Sequence, residues 1–140
     1  MARLLSIDYG KKRTGIAVSD PLQIIANGLT TVETSGLFDF LEDYLRKEDV
    51  ECIIVGQPKQ MSGENSENMK RIEPFVNRLR KLYPGISVVY HDERFTSKMA
   101  QQAMIDGGVK KKDRRNKELI DEVSATIILQ GYMESKRIKL

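Results

Sequence analysis

Acidic residues stand at the ends of several predicted elements, where they could bind divalent cations. Asp8 closes the segment LLSID, Asp92 and Glu93 close ISVVYHDE, and Asp121 lies within LIDEVSAT. In α/β sheets functional groups gather at the carboxyl ends of strands. Carboxylates gathered without a cation would repel one another, and oxygen ligands of this kind suit Mg²⁺ or Mn²⁺. The pattern therefore predicts catalytic and metal-binding roles for Asp8, for Asp121 and for one of Asp92 and Glu93.

The same acids also have explanations that need no metal. Asp8 can act as a turn former, Asp92 and Glu93 can form an ion pair with Arg94, and Asp121 can favour a helix start through the helix dipole. Successive strand residues face opposite sides of a sheet, so only one of Asp92 and Glu93 points into a site. The sequence leaves open which of the two it is.

Two clusters of basic residues could bind phosphates. One lies in YGKKRTG beside Asp8, where Gly10 and Gly15 would allow backbone amides to approach a phosphate. The other lies in VKKKDRRNK, which carries six basic residues against one acid. Solvated loops would explain either cluster equally well, but the first adjoins a predicted catalytic acid. The predicted nucleic-acid-binding residues are Lys11, Lys12, Arg13, Arg94, Lys110, Lys111, Lys112, Arg114 and Arg115.

Alternating strand-like and helix-like segments position these residues in one α/β domain, predicted to span residues 1–140. The first three strands are too close for helical crossovers and should form an antiparallel meander. The whole predicts a five-stranded mixed sheet with helices on both faces. Predicted strands are Leu4–Asp8, Ile16–Asp20, Gly28–Glu33, Glu51–Gly56 and Ile86–Glu93; predicted helices follow an N-cap at Ser35, then run over about Glu67–Tyr83, Ser97–Met104 and Lys117–Met133, before a frayed tail.

The amino-acid composition indicates a globular protein without a membrane span. The 140 residues are 40% hydrophobic and 31% charged with a net charge of +3, an ordinary globular balance. The single cysteine, Cys52, cannot build a disulfide framework or a zinc site and is predicted to pack in the core. No apolar run is long enough to span a bilayer, and the N-terminus lacks a signal-peptide pattern. These features predict a soluble, cytoplasmic protein.

Four motifs occur in order along nearly the whole chain: SIDYGKKRTGIAVSD, IIVGQPKQMSG, HDERFTS and LIDEVSATIILQGY. In this combination the sequence resembles the YqgF/RuvX family, whose members are named as pre-16S rRNA nucleases and were earlier described as Holliday junction resolvases. The resemblance implies a ribonuclease H-like fold and metal-dependent phosphodiester hydrolysis. By motif it assigns catalytic and metal-binding roles to Asp8, to Glu93 and to Asp121.

The chain departs from related patterns at the end of the fourth strand. The family's usual Gly-Leu-Pro is Gly56-Gln57-Pro58 here, which leaves the carboxylate set intact. Related resolvases place an acid at this point, whereas the YqgF family uses an acid of the fifth strand. The choice between Asp92 and Glu93 therefore stays open at this stage.

Together these features predict a Mg²⁺- or Mn²⁺-dependent endonuclease that acts on structured nucleic acid by two-metal hydrolysis. The resemblance alone implies that its substrate is the 5′ end of pre-16S rRNA. The alternatives are a Holliday junction resolvase and a weakly active nucleic-acid-binding module. A nucleotide-binding relative of the actin and sugar-kinase group is the most remote alternative, because 140 residues cannot supply its second domain. The predicted binding partner is nucleic acid, and no binding to a membrane is predicted. The chain is expected to be a monomer or a weak homodimer, because every apolar stripe is assigned to the core.

Overall fold

The fold is a five-stranded mixed sheet with helices on both faces. The structure, a computed structural model, describes residues 2–58, 67–92 and 117–138. The strands are β1 (Arg3–Asp8), β2 (Arg13–Ser19), β3 (Ala26–Glu33), β4 (Val50–Gln57) and β5 (Ser87–Asp92). The helices in these ranges are α1 (Leu37–Lys47), α2 (Met69–Leu82) and α3 (Lys117–Ile138).

The strand order is β3-β2-β1-β4-β5. β1, β2 and β3 pair antiparallel, while β4 runs parallel to β1 and β5 runs parallel to β4. This confirms the predicted mixed sheet and the predicted meander. Because β1, β4 and β5 are parallel, their carboxyl ends meet at one edge of the sheet. The last residues of these strands, Asp8, Gln57 and Asp92, therefore lie along that edge.

Each face of the sheet has its own apolar core. Leu5 and Ile7 of β1 face α1 and α2, whereas Leu4 faces α3. β4 alternates in the same way, with Ile53 on the first face and Ile54 on the second. Since both faces are covered, the central strands are apolar at nearly every position, as expected for a sheet between two layers of helices.

Cys52 belongs to the core on the α3 face, where only 6% of its surface is exposed. This confirms the predicted packing role. Burial raises the pKa of the thiol above its usual value. The side chain therefore behaves as a small apolar residue at neutral pH.

Some element boundaries differ from the prediction. β2 begins at Arg13, because the residues predicted as a turn already pair with β1 and β3. The expected cap at Ser35 is absent: residues 34–36 form a 3-10 turn, and Gly36 precedes α1 without a side-chain cap. α3 continues past Met133 to Ile138, so the tail predicted to fray is largely helical. The predicted helix Ser97–Met104 lies outside the described residues.

The loop between β2 and β3 exposes apolar side chains. Leu22, Ile24 and Ile25 are 57%, 57% and 58% exposed. The prediction that every apolar segment packs in the core is therefore wrong for this loop. None of the helices in the described ranges is long and apolar enough to cross a bilayer.

Candidate active site

Asp8 and Asp121 come together across a single glycine of β2. Asp8 is paired with Gly15 in the β1–β2 ladder. A Cβ atom on Gly15 would lie 2.0 Å from the carbonyl oxygen of Asp121, so the backbone of α3 rests directly on this point of the sheet. Leu4 and Ser6 of β1 face α3, and strand alternation places Asp8 on the same face. The two acids, far apart in sequence, are therefore neighbours.

Arg13 binds one of these acids directly. Its Nε atom lies 3.1 Å from Oδ2 of Asp121, with side-chain exposures of 33% and 24% for the arginine and the aspartate. The sequence analysis assigned Arg13 to phosphate binding from a loop. In the structure it is the first residue of β2 and supplies positive charge to Asp121, at the edge where Asp8 also lies.

The end of β5 shows which face of the sheet carries Asp92. Val88 and Tyr90 pack on the face of α1 and α2, so alternation places Asp92 on that face as well. His91 instead faces α3, where its Nε2 atom would lie 2.8 Å from a Cβ atom on Gly131. Asp92 is therefore on the opposite face from Asp8. Glu93 lies outside the described residues, and its role stays a prediction.

His91 is partly buried beneath α3. Burial lowers its pKa from the usual value, and the neighbouring Asp92 carboxylate opposes this shift. The imidazole is therefore uncharged at neutral pH and adds no positive charge to the site.

A basic groove includes Arg13, the residue that binds Asp121. Lys11, Lys12 and Arg13 line an open cavity of about 480 Å³ together with Glu33 and Ser35. Both lysines are exposed. Phosphate groups are the anions that such a groove would attract.

The backbone of this loop is fixed from two sides. The Thr34 amide donates to the Lys12 carbonyl at 2.9 Å, and the Thr34 hydroxyl donates to the Gly10 carbonyl at 2.7 Å. On the other side, the side-chain amide of Asn68, the residue before α2, donates to the Tyr9 carbonyl at 2.9 Å. The loop that carries the two lysines is thus held at a set position beside Asp8.

Two buried hydroxyls lie between α3 and the sheet below the acids. Ser6 donates to the Ala125 carbonyl at 2.6 Å. Ser124 is 1% exposed, and its hydroxyl has no hydrogen-bond partner. Ser124 was not predicted from the sequence. The signal was a polar residue three positions after Asp121, on the apolar side of a predicted helix.

The described acids are of the kind that binds a divalent cation, although they do not surround one completely. Within residues 2–58, 67–92 and 117–138, no group of three or more histidine, cysteine, aspartate or glutamate side chains is arranged to hold a metal. Mg²⁺ is commonly held by one or two carboxylates, with waters and substrate phosphates filling its other positions. Asp8 and Asp121 can supply such a pair. The remaining predicted binding residues, Arg94, Lys110, Lys111, Lys112, Arg114 and Arg115, lie outside the described ranges.

Comparisons with known sequences give one consistent result. The family model described as "RuvX: Holliday junction resolvase" matches residues 2–135. A relative from Phocaeicola vulgatus is 67% identical over 137 residues, covering 98% of this chain and 99% of that protein. One from Bacteroides fragilis YCH46 is 62% identical over 138 residues, covering 99% and 100%. Both carry the name "Putative pre-16S rRNA nuclease".

Solved structures show the same fold. A Fowlpox virus resolvase, solved with Holliday junction DNA, matches with a TM-score of 0.58 and 12% identity, covering 95% of this chain and 97% of the other. Thermus thermophilus RuvC, solved with a Holliday junction substrate, matches with a TM-score of 0.55 and 16% identity, covering 98% and 96%. These likenesses confirm the predicted ribonuclease H-like fold.

Proposed function

The chain belongs to the RuvX family, and on that premise we propose that it is a metal-dependent endonuclease that processes the 5′ end of pre-16S rRNA. The observation that carries this proposal is the meeting of Asp8 and Asp121 at the carboxyl end of β1. The names of its relatives support RNA as the substrate. We further propose that residues 1–140 act as one nuclease domain, in the cytoplasm where ribosomes mature.

Asp8 and Asp121 would hold the cation, Mg²⁺ or Mn²⁺, together with Glu93 as the third acid. A divalent cation supplies an activated water and neutralises charge on the leaving oxygen in phosphodiester hydrolysis. The chain's own contribution is to fix the two carboxylates on one face of the sheet. Arg13 holds Asp121 through its Nε atom.

The basic groove would bind the backbone of the nucleic acid. Lys11 and Lys12 are exposed beside the acids, on a loop fixed by Thr34 and Asn68. Phosphate contacts of this kind position a substrate without reading its sequence. Arg94 and the basic segment containing Lys110–Lys112, Arg114 and Arg115 would contact phosphates further along the strand.

A Holliday junction resolvase is the second candidate, favoured by the description of the matching family model. A resolvase must cut two strands symmetrically, which normally requires a two-fold dimer. Cleavage of pre-rRNA makes no such demand, so it is compatible with a monomer. A nucleic-acid-binding module without useful activity is the third candidate.

The test is cleavage of a labelled pre-16S rRNA fragment and of a four-way DNA junction by wild type, Asp8→Asn and Asp43→Asn. Asp43 is a surface aspartate of α1 that pairs with Lys47, which makes its variant a matched control. We expect RNA cleavage in Mg²⁺ or Mn²⁺, its loss in EDTA, and a fall of about a thousandfold in Asp8→Asn.

Each result assigns a function. Junction cleavage without RNA cleavage would favour the resolvase. Binding of RNA without cleavage of either substrate, or equal cleavage by wild type and Asp8→Asn, would contradict the proposed active site and favour the binding module.

A further inference from the structure

Ser124 is an exception among the hydroxyl side chains of α3. Thr126 donates to the Glu122 carbonyl at 2.9 Å, and Ser135 donates to the Tyr132 carbonyl at 2.7 Å, so each is satisfied by its own helix. Ser124 makes no such bond, although it is 1% exposed. A buried hydroxyl without a partner is unfavourable, and those in folded proteins usually bond to protein or to ordered water.

The position of Ser124 on α3 shows which space its hydroxyl faces. Residues seven apart lie on the same side of an α-helix, so Ser124 shares a side with Gly131. Gly131 contacts His91 of β5. Ser124 is two turns nearer the carboxyl ends of the strands and one turn from Asp121. Its side of the helix therefore faces the space beside the predicted catalytic acids.

The buried hydroxyl of Ser6 on β1 is not a partner of Ser124. It donates to the Ala125 carbonyl, and the Ser124 hydroxyl bonds to no protein group that the structure describes. An alanine at position 124 would remove the unpaired hydroxyl without leaving a large cavity, as Ala125 next to it shows by packing in the core. The unpaired hydroxyl therefore lowers the stability of the fold unless the site supplies a hydrogen-bond partner.

We propose that Ser124 is a positioning residue of the active site, and that its hydroxyl hydrogen-bonds an ordered water that accompanies a divalent cation held at Asp8 and Asp121. This inference rests on the proposed function. Groups that support a metal site from outside its direct ligands commonly change metal affinity or activity by about 10- to 100-fold when removed. Divalent cations, Mg²⁺ above all, keep several waters when protein-bound, so a buried hydroxyl beside the acids has a partner to bind.

The experiment compares the full-length wild type with Ser124→Ala, Ser124→Cys and Ser135→Ala. Calorimetry measures Mn²⁺ affinity, and thermal unfolding in EDTA measures the stability of the metal-free chain. We expect Ser124→Ala to weaken Mn²⁺ binding about tenfold while its Tm in EDTA stays equal or rises. Ser124→Cys, close in volume but a poor hydrogen-bonding group, should lose affinity equally. Ser135→Ala, whose hydroxyl bonds its own helix, should leave affinity unchanged.

Two results would overturn the inference. Unchanged Mn²⁺ affinity in Ser124→Ala would show that the hydroxyl does not serve the site, and a lower Tm in EDTA would show that its role is structural. Asp8→Asn separates this failure from that of the proposed function. If Asp8→Asn abolishes Mn²⁺ binding and Ser124→Ala does not affect it, only the role of Ser124 fails. If wild type binds no Mn²⁺, the metal site and this inference fail together.

Discussion

Gly15 is the residue that lets α3 reach the carboxyl end of β1. The Asp121 carbonyl occupies the space where any other residue would place its Cβ atom. The contact is with backbone, which cannot rotate away as the end of a flexible side chain can. The approach of Asp121 to Asp8 therefore depends on the absence of a side chain at position 15.

Replacing Gly15 by alanine should push α3 away from the sheet. We expect Gly15→Ala to lower the free energy of unfolding by about 2 to 4 kcal/mol and to reduce nuclease activity further than the loss of folded protein explains. Gly36→Ala is the control, because a Cβ atom there meets nothing within 4 Å. Urea unfolding and cleavage assays on both variants test this. Similar stabilities for the two would contradict the tight contact at Gly15.

Single-residue patterns predicted only part of this site. Asp8 and Asp121 stood out because acids at the end of an apolar strand and on an apolar helix face need a reason to be there. The Arg13–Asp121 ion pair was not predicted, since its members are 108 positions apart and meet only through the packing of α3 on β2. Ser124 was missed because a small hydroxyl within a helix is compatible with any environment until its burial and partners are known.

At the scale of elements, the β2–β3 loop is held by one carboxylate. Oδ1 of Asp20 accepts from the backbone amides of Ile24 and Ile25, each at 2.8 Å. The bond from Ile25 is the largest cause of a pKa lowered below the usual 3.8, and the bond from Ile24 adds to it. The exposed apolar residues of this loop are thus placed by a hydrogen-bonded turn and not by burial.

The stability of this loop should decrease as the pH falls below the pKa of Asp20. Because the pKa of Asp20 is lowered on folding, its stabilising effect is complete above 3.8 and is lost as pH falls through the lower folded value. NMR should show the Ile24 and Ile25 amides shifting together with a midpoint below 3.8. Asp20→Ala should abolish this titration, whereas Asp39→Ala on α1 should leave it intact. A midpoint at or above 3.8 would contradict the bonded carboxylate.

The elements themselves were largely predictable, and their ends were not. β1 and β4 are apolar runs covered on both faces, and α2 follows a regular helical repeat, so pattern alone located them. The start of β2 was wrong because Arg13, Thr14 and Gly15 look like a turn in isolation and become a strand only through pairing with β1 and β3. The Ser35 cap was wrong because the preceding Thr34 bonds to Gly10 and Lys12, which fixes a 3-10 turn there.

For the whole molecule, local charge matters more than the net charge of +3. The described acids and the exposed lysines of the basic groove lie at the same edge of the sheet, so that edge should attract a polyanion. This arrangement predicts binding that is governed by phosphates and weakens steeply with salt.

Neutralising the groove should change the salt dependence of binding. We expect Lys11→Gln/Lys12→Gln to weaken RNA binding and to reduce the slope of log K against log salt by about 0.7 to 0.9 per lysine. Lys47→Gln/Lys70→Gln is the control, since Lys47 of α1 pairs with Asp43 and Lys70 of α2 pairs with Glu67. Fluorescence anisotropy over a series of KCl concentrations measures both slopes. Equal slopes for the two double variants would show that the groove does not contact the nucleic acid.

The junction between β1 and α3 also determines when, during synthesis of the chain, the two acids can come together. Ser6 and Ala125, which bond at that junction, are 119 positions apart in the chain. A polypeptide still being translated contains Asp8 early, but Asp121 cannot come beside it until α3 has left the ribosome and packed on the sheet. The order of synthesis should therefore delay formation of the pair of acids until α3 has emerged.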